Sequence, residues 1–307
     1  MRTLVISMLV LAVGAAAGAA ERREEISRAF PAPAGKLVLV DAGPLDLVVR
    51  VAEITEIRVK VELVAGAFRE AQATAWIEAH RPTLEDREGE LRLVAPDPGG
   101  VKLFKGVLVS RARVELVIPP TVRADLSTSS GNLRAEGEFG ASRPLRLRAA
   151  SGDIELVGWA PEVEARTTSG SLLIRATRAL ERALARSASG NVVLTGGARA
   201  LRADTTSGQV RAEGLLGSVA VATSSGAVTL RFDALAGTDE VSVATTSGRV
   251  RLVLPPGTQP GGELASSRGE IRSEHPGEAE PRGSKVRLAG GGPRVSISTT
   301  SGKIELL

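Results

Sequence analysis

Residues 201–230, LRADTTSGQVRAEGLLGSVAVATSSGAVTL, contain the pattern that decides the fold. They hold two copies of a unit in which hydroxyl residues precede a glycine, which is Gly208 in one copy and Gly226 in the next. The unit occurs nine times, and all but the last separation between its glycines are 18 to 22 residues. The repeat glycines are Gly131, Gly152, Gly170, Gly190, Gly208, Gly226, Gly248, Gly269 and Gly302. A fixed period of about 20 residues predicts a stacked repeat architecture.

Aligning the copies on the glycine shows an apolar residue at two fixed positions. Five residues before the glycine stand Leu126, Leu147, Ala165, Ala185, Ala203, Val221, Val243, Leu264 and Ile297. Two residues after it stand Leu133, Ile154, Leu172, Val192, Val210, Val228, Val250, Ile271 and Ile304. Polar residues alternate with these, which is the period of a strand with one buried face. Each unit is therefore predicted to be two short strands joined at a Ser-Gly corner.

Such a unit cannot bury its own apolar face, so successive units are expected to stack in parallel. The predicted fold is all-β, a parallel β-solenoid (β-helix) of about 20-residue coils. We expect each corner glycine to adopt a positive φ, and the Ser and Thr hydroxyls to bond backbone groups at the corner. The residues three positions before the glycine are predicted to form a row of hydroxyls along one edge.

The sequence before the repeats is less regular. Alternation predicts strands at residues 36–41, 45–51, 56–64, 89–95 and 108–118, and a helix near residues 68–80. We therefore predict an irregular N-terminal β part at residues 21–120, packed on a regular solenoid at residues 121–307. Residues 273–293 form an excursion before the last repeat and are predicted to cover the open end of the solenoid, because an exposed terminal coil has unpaired strand edges.

Residues 1–20 have the pattern of a secretory signal peptide, with Arg2 before an uncharged run that ends in small residues. An uncleaved membrane anchor is the alternative, since 18 uncharged residues could just span a bilayer. Either reading predicts an extracytoplasmic protein, whether periplasmic, secreted or displayed on the cell surface.

Composition excludes several kinds of chemistry. The 307 residues include no Cys, 2 His, and 7 aromatic residues from 2 Trp and 5 Phe. Disulfides, thiolate metal sites and multi-histidine metal sites are thereby excluded or disfavoured, and we expect no cofactor. A formal net charge of only +4 and few aromatics also argue against a nucleic-acid partner.

The repeated Ser-Gly is predicted to be a structural corner, because two histidines cannot serve as bases for nine serines. His80 and His275 are each expected to lie on the surface. A polysaccharide-active β-helix enzyme remains the catalytic alternative, and it would need carboxylates clustered on neighbouring coils. The aspartates Asp125, Asp153, Asp204 and Asp233 occupy different positions in the repeat, so we predict no enzymatic activity.

One surface feature stands out from the repeats. Arg148, Arg166 and Arg186 lie four residues before the glycine in three successive units, and Arg146 precedes Arg148 by two residues. Stacking would place these four arginines on one outward face, a candidate anion-binding face. Its partner would be an anionic envelope polymer or another envelope protein, which leaves open the alternative of an anion-binding envelope sensor.

The repeats follow the pattern Thr-Thr/Ser-Ser-Gly-x-aliphatic-x-aliphatic, ending in TTSGKIEL at residues 299–306. Together with LDLVVRVAEITEIRVKVEL at residues 45–63 and VELVIPP at residues 114–120, this pattern resembles the bacterial putative-adhesin family of unknown function. That family is similar to the head domain of auto-transporter adhesins. The resemblance covers residues 35–307 and implies an extracytoplasmic β-solenoid that acts as a structural or interaction protein, with no catalytic residues to transfer.

Overall fold

The computed structural model describes residues 7–11, 20–98, 106–280 and 284–307. The chain divides into two compact units, Met1–Gly152 and Asp153–Leu307. Of the predicted signal peptide, only Ser7–Leu11 and Ala20 are described, and the rest lies outside the described residues. No helix in the described ranges is long and apolar enough to cross a membrane.

The first unit contains all five strands predicted before the repeats and three that the pattern did not indicate, β1, β2 and β6. Its elements are β1 Ser7–Leu11, β2 Ala20–Pro31, β3 Leu37–Asp41, β4 Asp46–Val51, β5 Glu56–Ala67, α1 Glu70–His80, β6 Thr83–Arg87, β7 Glu90–Val94, β8 Val107–Ile118, β9 Arg123–Thr128, β10 Leu133–Glu138 and β11 Leu145–Ala149. The helix lies inside the segment in which residue type and spacing predict one.

Two sheets make up the first unit, in the strand orders β1-β2-β5-β8-β4-β10 and β11-β9-β3-β7-β6. Strands β3 and β4 form a coil in register with β9 and β10, although they lack the Ser-Gly signature. Leu47 pairs with Leu133, and Val40 pairs with Leu126. Strands β7 and β8 pair in parallel with β3 and β4 on the other side. The solenoid register therefore begins well before the first Ser-Gly, inside the part that the sequence predicts to be irregular.

Antiparallel strands and the helix complete the first unit. β5 pairs antiparallel with β8, β2 with β5, and β6 with β7. Helix α1 contacts β5, β2 and β8 and buries Trp76 and Ile77. Just after the helix, Arg81 donates two hydrogen bonds, of 2.9 and 2.7 Å, to the buried carboxylate of Glu24. This hydrogen-bonded pair raises the pKa of Arg81 and ties the helix end to β2.

The predicted surface position of His80 is wrong. Only 8% of the residue is exposed, its ring stacks on Trp76 at 4.1 Å, and its Nδ1 lies 2.7 Å from the Trp76 carbonyl oxygen. The helix end lies against the sheet, so a residue that sequence alone assigns to solvent becomes part of the core. His275 is half-buried, and its backbone N–H donates to Ser273 Oγ at 3.1 Å.

The second unit consists of short strands in repeat order. They are β12 Ile154–Trp159, β13 Glu162–Thr167, β14 Leu172–Ala176, β15 Arg182–Ser189, β16 Val192–Thr195, β17 Leu201–Ser207, β18 Val210–Leu215, β19 Val219–Ser225, β20 Val228–Phe232, β21 Glu240–Ser247, β22 Val250–Val253, β23 Gly261–Ser266, β24 Ile271–Ser273, β25 Gly277–Ala279, β26 Lys285–Ala289, β27 Arg294–Ser301 and β28 Ile304–Leu306. One sheet has the order β12-β14-β16-β18-β20-β22-β28-β24, and the other β25-β26-β23-β27-β21-β19-β17-β15-β13.

Parallel pairing keeps equivalent repeat positions opposite each other. Val210 pairs with Val228, and Val228 with Val250. The apolar positions five residues before the glycine are all buried, and so are those two residues after it, except Ile271. Ile271 is half-buried because its strand, β24, lies at a sheet edge. The predicted all-β solenoid with an inward apolar and an outward polar face is confirmed.

The prediction of a positive φ at the repeat glycines is wrong. None of them is among the glycines with positive φ. Glycine is instead required because successive corners stack closely: a Cβ on Gly208 would lie 2.0 Å from the carbonyl oxygen of Gly190, and one on Gly226 would lie 1.9 Å from that of Gly208. The absent side chain allows two backbones to approach each other.

The order of the last repeats also differs from the expected succession. The ninth repeat, β27 and β28, lies between the seventh, β21 and β22, and the eighth, β23 and β24. Within the predicted excursion, β26 pairs antiparallel with β23, and β25 pairs with β26. The excursion thus covers the edge of the eighth repeat rather than the ninth, and residues 281–283 of it lie outside the described part of the chain.

Candidate functional site

The predicted arginine face is engaged in ion pairs within each unit. In the first unit Arg146 and Arg148 on β11 approach Asp125 on β9, with nitrogen–oxygen distances of 3.8 and 2.9 Å. In the second unit Arg166 pairs with Glu164, and Arg186 pairs with Asp204 at 3.1 Å. An anionic ligand would have to compete with these carboxylates.

Asp204 also accepts a hydrogen bond from Arg202, again at 3.1 Å. The cluster of Arg186, Arg202 and Asp204 therefore carries one net positive charge. Its arginine side chains are 43% and 59% exposed, so the charge is open to solvent and is screened by salt.

A groove of about 490 Å³ lies beside this cluster, along the Ser-Gly corners of the second unit. It crosses five neighbouring strands, β13, β15, β17, β19 and β21. Strands about 4.8 Å apart give this corner groove a length of about 19 Å. Two rows of outward residues line it: Asp204, Ala222 and Ala244 in one, and Thr206, Ser224 and Thr246 in the other. Beyond its charged end, the corner groove is lined by small, uncharged side chains, many of which carry a hydroxyl.

The same chemistry extends across the outer face of β19, β21 and β27. Apart from Glu240 and Arg294, which lie opposite each other at the start of β21 and β27, the outward positions there are exposed alanines, serines and threonines. The three strands carry Ala220, Ala222 and Ser224, then Ser242, Ala244 and Thr246, then Ser296, Ser298 and Thr300. In a chain that is 24% charged, the face beyond Glu240 and Arg294 has no charge and no large side chain. Comparing the outward positions of the repeats by size could have indicated the part of this face on β19 and β21, but not β27, because the sequence does not predict β27 as a neighbour of β21.

The hydroxyl row predicted three residues before the glycine is present, and it is buried. Thr128 donates to the Gly131 carbonyl at 2.7 Å, and Ser187 donates to that of Gly170 at 3.0 Å, as expected for corner hydroxyls. The row formed by Thr205, Thr223, Thr245 and Thr299 differs, because each Oγ1 is buried without a hydrogen-bond partner. The prediction that corner hydroxyls satisfy the backbone thus holds for some repeats only.

Side chains just after the glycine provide a second set of corner hydrogen bonds. Asp153 Oδ1 accepts from the Ser171 backbone N–H at 2.7 Å, and Asn191 Oδ1 accepts from that of Gln209 at 3.0 Å. Asp153 is therefore part of the corner structure, as Asx side chains often are in turns.

A second cleft of the second unit, of about 530 Å³, bears on the catalytic alternative. Glu213, Arg231 and Asp233 line it, together with Gly196 and Gly214, both of which have positive φ. Glu213 is ion-paired with Arg211 at 2.6 Å. Asp233 occupies a different repeat position from the other three aspartates, but the strand register brings it into the same cleft as Glu213.

Trp159 makes contacts that the repeat pattern does not indicate. The guanidinium carbon of Arg178 lies 3.5 Å from the centre of its ring, and Trp159 Nε1 donates to the Ala179 carbonyl at 3.2 Å. This cation–π contact fixes a loop at the surface of the second unit.

Hydrogen bonds within surface ion pairs also shift pKa values. Hydrogen bonds from Arg134 and then Arg50 lower the pKa of Glu136 in the first unit. In the second unit, hydrogen bonds to Glu270 and Glu305 raise the pKa of Lys303. Across the described ranges, no group of three or more acidic or histidine side chains is placed to hold a metal ion.

Comparison with known families bears on the second unit. Residues 179–307 match the family model described as Toastrack DUF4097. The match confirms the predicted resemblance for this part of the chain, and the Toastrack segment includes the greater part of the corner groove. No curated protein matches the sequence.

Solved structures of similar proteins have low sequence identity. A putative adhesin from Bacteroides fragilis is 13% identical, with a TM-score of 0.47 over 74% of this chain and 96% of that chain. A putative adhesin from Parabacteroides merdae is also 13% identical, with a TM-score of 0.48 over 92% and 96%. A putative lipid binding protein from Parabacteroides distasonis is 13% identical, with a TM-score of 0.43 over 74% and 96%. Similarity of this degree assigns neither a ligand nor an activity to the Toastrack segment.

Proposed function

We propose that this protein is a non-catalytic, adhesin-like interaction module that works outside the cytoplasm and binds an extended, hydroxyl-rich polymer in the corner groove. The observation that carries the proposal is the corner groove itself. It crosses five coils and presents the same small and hydroxyl-bearing residue types at successive coils. A rigid row of equivalent groups suits a ligand that is itself repetitive.

The chemistry of the corner groove favours a polar, largely uncharged chain. Thr206, Ser224 and Thr246 each offer a donor and acceptors to ligand hydroxyl or amide groups. Ala222 and Ala244 leave room for the chain to approach the strands. Few aromatics mean that sugar rings would be held by hydrogen bonds rather than by stacking. The predicted signal peptide would bring this surface to envelope polymers.

Binding can be tested by filling the corner groove. The double variant Ala222→Arg/Ala244→Arg places two long side chains in it, and Ala220→Arg/Ser242→Arg places the same side chains two residues away on the same strands and face. In sedimentation assays with peptidoglycan and neutral cell-wall polysaccharide, we expect the first variant to lose retention and the second to keep it. Equal retention of both variants, or no retention of the wild type, would refute the corner groove as the binding surface.

An anionic polymer is the second candidate ligand, favoured by the single net positive charge at the Arg186 end of the corner groove. Replacing Arg146, Arg148, Arg166 and Arg186 by Gln should then reduce retention by acidic envelope polymers and anionic vesicles. Wild-type retention should also fall as salt rises, because exposed charges are screened within about 10 Å at 0.1 M. Retention that is insensitive to both changes would exclude this ligand class.

The enzyme alternative rests on the Glu213–Asp233 cleft. Purified protein should be incubated with envelope polysaccharides and the reducing ends counted, with Glu213→Gln and Asp233→Asn in parallel. We expect a non-catalytic module to release no reducing ends. Product that the wild type forms and either variant abolishes would overturn the proposal. Cell fractionation and N-terminal sequencing of a C-terminally tagged chain test the location and the cleavage of residues 1–20.

A further inference from the structure

The ninth repeat is inserted between two repeats that precede it in the sequence. β27 pairs in parallel with β21 on one side and with β23 on the other. β28 likewise pairs with both β22 and β24. Neighbouring units of a solenoid normally follow one another along the chain. The seventh and eighth repeats therefore form a slot, bounded by β21–β22 and β23–β24, that a later segment fills.

Both sides of this slot show the same pattern to the inserted segment. Ile297 lies between Val243 and Leu264, and Thr299 lies between Thr245 and Ser266. The inserted side chains Val295, Ile297, Ile304 and Leu306 are each no more than 1% exposed. The slot thus selects a segment with the repeat pattern and buries its apolar positions completely.

Hydrogen bonds hold the connection to the inserted segment against residues 259–260. Gly290 N–H donates to the Pro260 carbonyl at 3.1 Å, and Gly292 N–H donates to the Gln259 carbonyl at 2.9 Å. After β26 the chain runs through Gly290, Gly291, Gly292 and Pro293 to Arg294, where β27 begins. At Gly291 a Cβ would meet nothing within 4 Å. Three consecutive glycines restrict the backbone little, so once the hydrogen bonds to residues 259–260 open, the link can lead the ninth repeat back to its own slot or away from it.

During synthesis the seventh and eighth repeats are made before the ninth, so the ninth repeat is the last to reach its place between them. Because the repeat rows are equivalent, the ninth repeat of a second copy would make the same contacts there as the chain's own. Only the glycine link would adopt a different path and give up its hydrogen bonds to Gln259 and Pro260. Exchange of a terminal element that keeps all its native contacts is a low-cost route to dimers.

We propose that the slot between the seventh and eighth repeats accepts the ninth repeat of a second copy of this chain, and that copies associate by exchanging this segment. The exchanged assembly joins two corner grooves in one particle. Two linked binding surfaces on a polymer would bind with higher avidity than one. Self-association does not depend on the proposed ligand and is tested without it.

Cysteine pairs report the exchange directly, because the chain has no cysteine of its own. Ser242 and Ser296 are exposed and lie opposite each other on β21 and β27. Neighbouring strands are about 4.8 Å apart, within the Cα separation of disulfides. The single variants Ser242→Cys and Ser296→Cys should be mixed, partially unfolded and refolded together, and then oxidised. Exchange predicts a disulfide-linked heterodimer and a doubled mass in size-exclusion chromatography.

The matched control replaces Ser242→Cys with Ala220→Cys, which lies one strand farther from β27. Mixed with Ser296→Cys, it measures the cross-linking that arises from collision alone. The double variant Ser242→Cys/Ser296→Cys, oxidised as a monomer, should lock the ninth repeat in its own slot and prevent association. Heterodimer no more abundant than in the control, or association that persists in the locked variant, would overturn the proposal.

Discussion

Replacing Gly208 by alanine tests whether coil stacking is what requires glycine at the corners. The added Cβ would lie 2.0 Å from the Gly190 carbonyl oxygen, whereas real Cβ contacts essentially never fall below 3.0 Å. The two coils must therefore separate locally by about 1 Å, the difference between these two distances. That movement stretches the Gly190 N–H to Ser207 bond of 3.1 Å and the Val192 N–H to Gln209 bond of 2.8 Å. Two buried donors left unpaired cost about 2–6 kcal/mol together.

Two other glycines in the same unit separate this cause from backbone conformation. Gly237 has no neighbour within 4 Å and an ordinary φ, so Gly237→Ala should be neutral or stabilise by about 0.4–1 kcal/mol. Gly257 is equally open but has a φ of +81°, so Gly257→Ala should cost about 1–2 kcal/mol. Urea unfolding followed by circular dichroism, with the slope m compared among variants, gives the three free energies.

The expected order of destabilisation is Gly208→Ala, then Gly257→Ala, then Gly237→Ala. Hydrogen exchange should show the loss of protection in Gly208→Ala concentrated at the corners of the adjacent coils. The two variants Gly208→Ala and Gly257→Ala could instead lose the same free energy of unfolding and show the same distribution of lost hydrogen-exchange protection. A conformational requirement would then explain the repeat glycine, and the stacking argument would fail.

Three further sets of substitutions test the strand register, the corner hydroxyls and the surface charges. Val210→Ala should cost about 1–3 kcal/mol in unfolding free energy, while Gln209→Ala should be near neutral; similar losses would contradict the inward and outward assignment. Thr223→Val removes a buried hydroxyl without a hydrogen-bond partner and should stabilise the protein. Thr128→Val deprives the Gly131 carbonyl of its donor and should destabilise the protein. A change in unfolding free energy of the same sign in both variants would refute the difference between these corners. Because the pKa of Glu136 is lowered on folding, its carboxylate stabilises the protein above the ordinary pKa near 4.5, and this contribution disappears as the pH falls through the lowered value. Urea titrations from pH 7 to pH 3 should therefore show Glu136→Gln losing stability at neutral pH and converging with the wild type in acid.

The local sequence pattern is sufficient to predict the coil. Alternation with a period of two decides which residues point inward, and a glycine every 20 residues marks the corner. Buried positions such as Val210 and Val228 could therefore be predicted without coordinates. The same reasoning missed the coil formed by β3 and β4, because that coil keeps the apolar alternation but lacks the Ser-Gly signature.

Parts of the candidate site needed the structure. The four arginines could be found by their positions, but their pairing with Asp125, Glu164 and Asp204 depends on side-chain conformations across neighbouring strands. The corner groove follows from the size of outward residues on adjacent coils. That property appears only when the register between coils is known.

The order of the coils is visible in the strand pairing of the folded chain and not in the repeat pattern. Each repeat presents the same rows of residues to the coil on either side, so the local pattern cannot distinguish one neighbour from another. The ninth repeat fits beside the seventh because Val243 can pair with Ile297 of the ninth repeat as well as with Leu264 of the eighth. Its place is set by the connecting segment and by β26, which covers the eighth repeat. A repetitive sequence strongly specifies the register in which neighbouring strands pair. It only weakly specifies the order in which the coils stack, because equivalent interfaces between coils have nearly equal free energies.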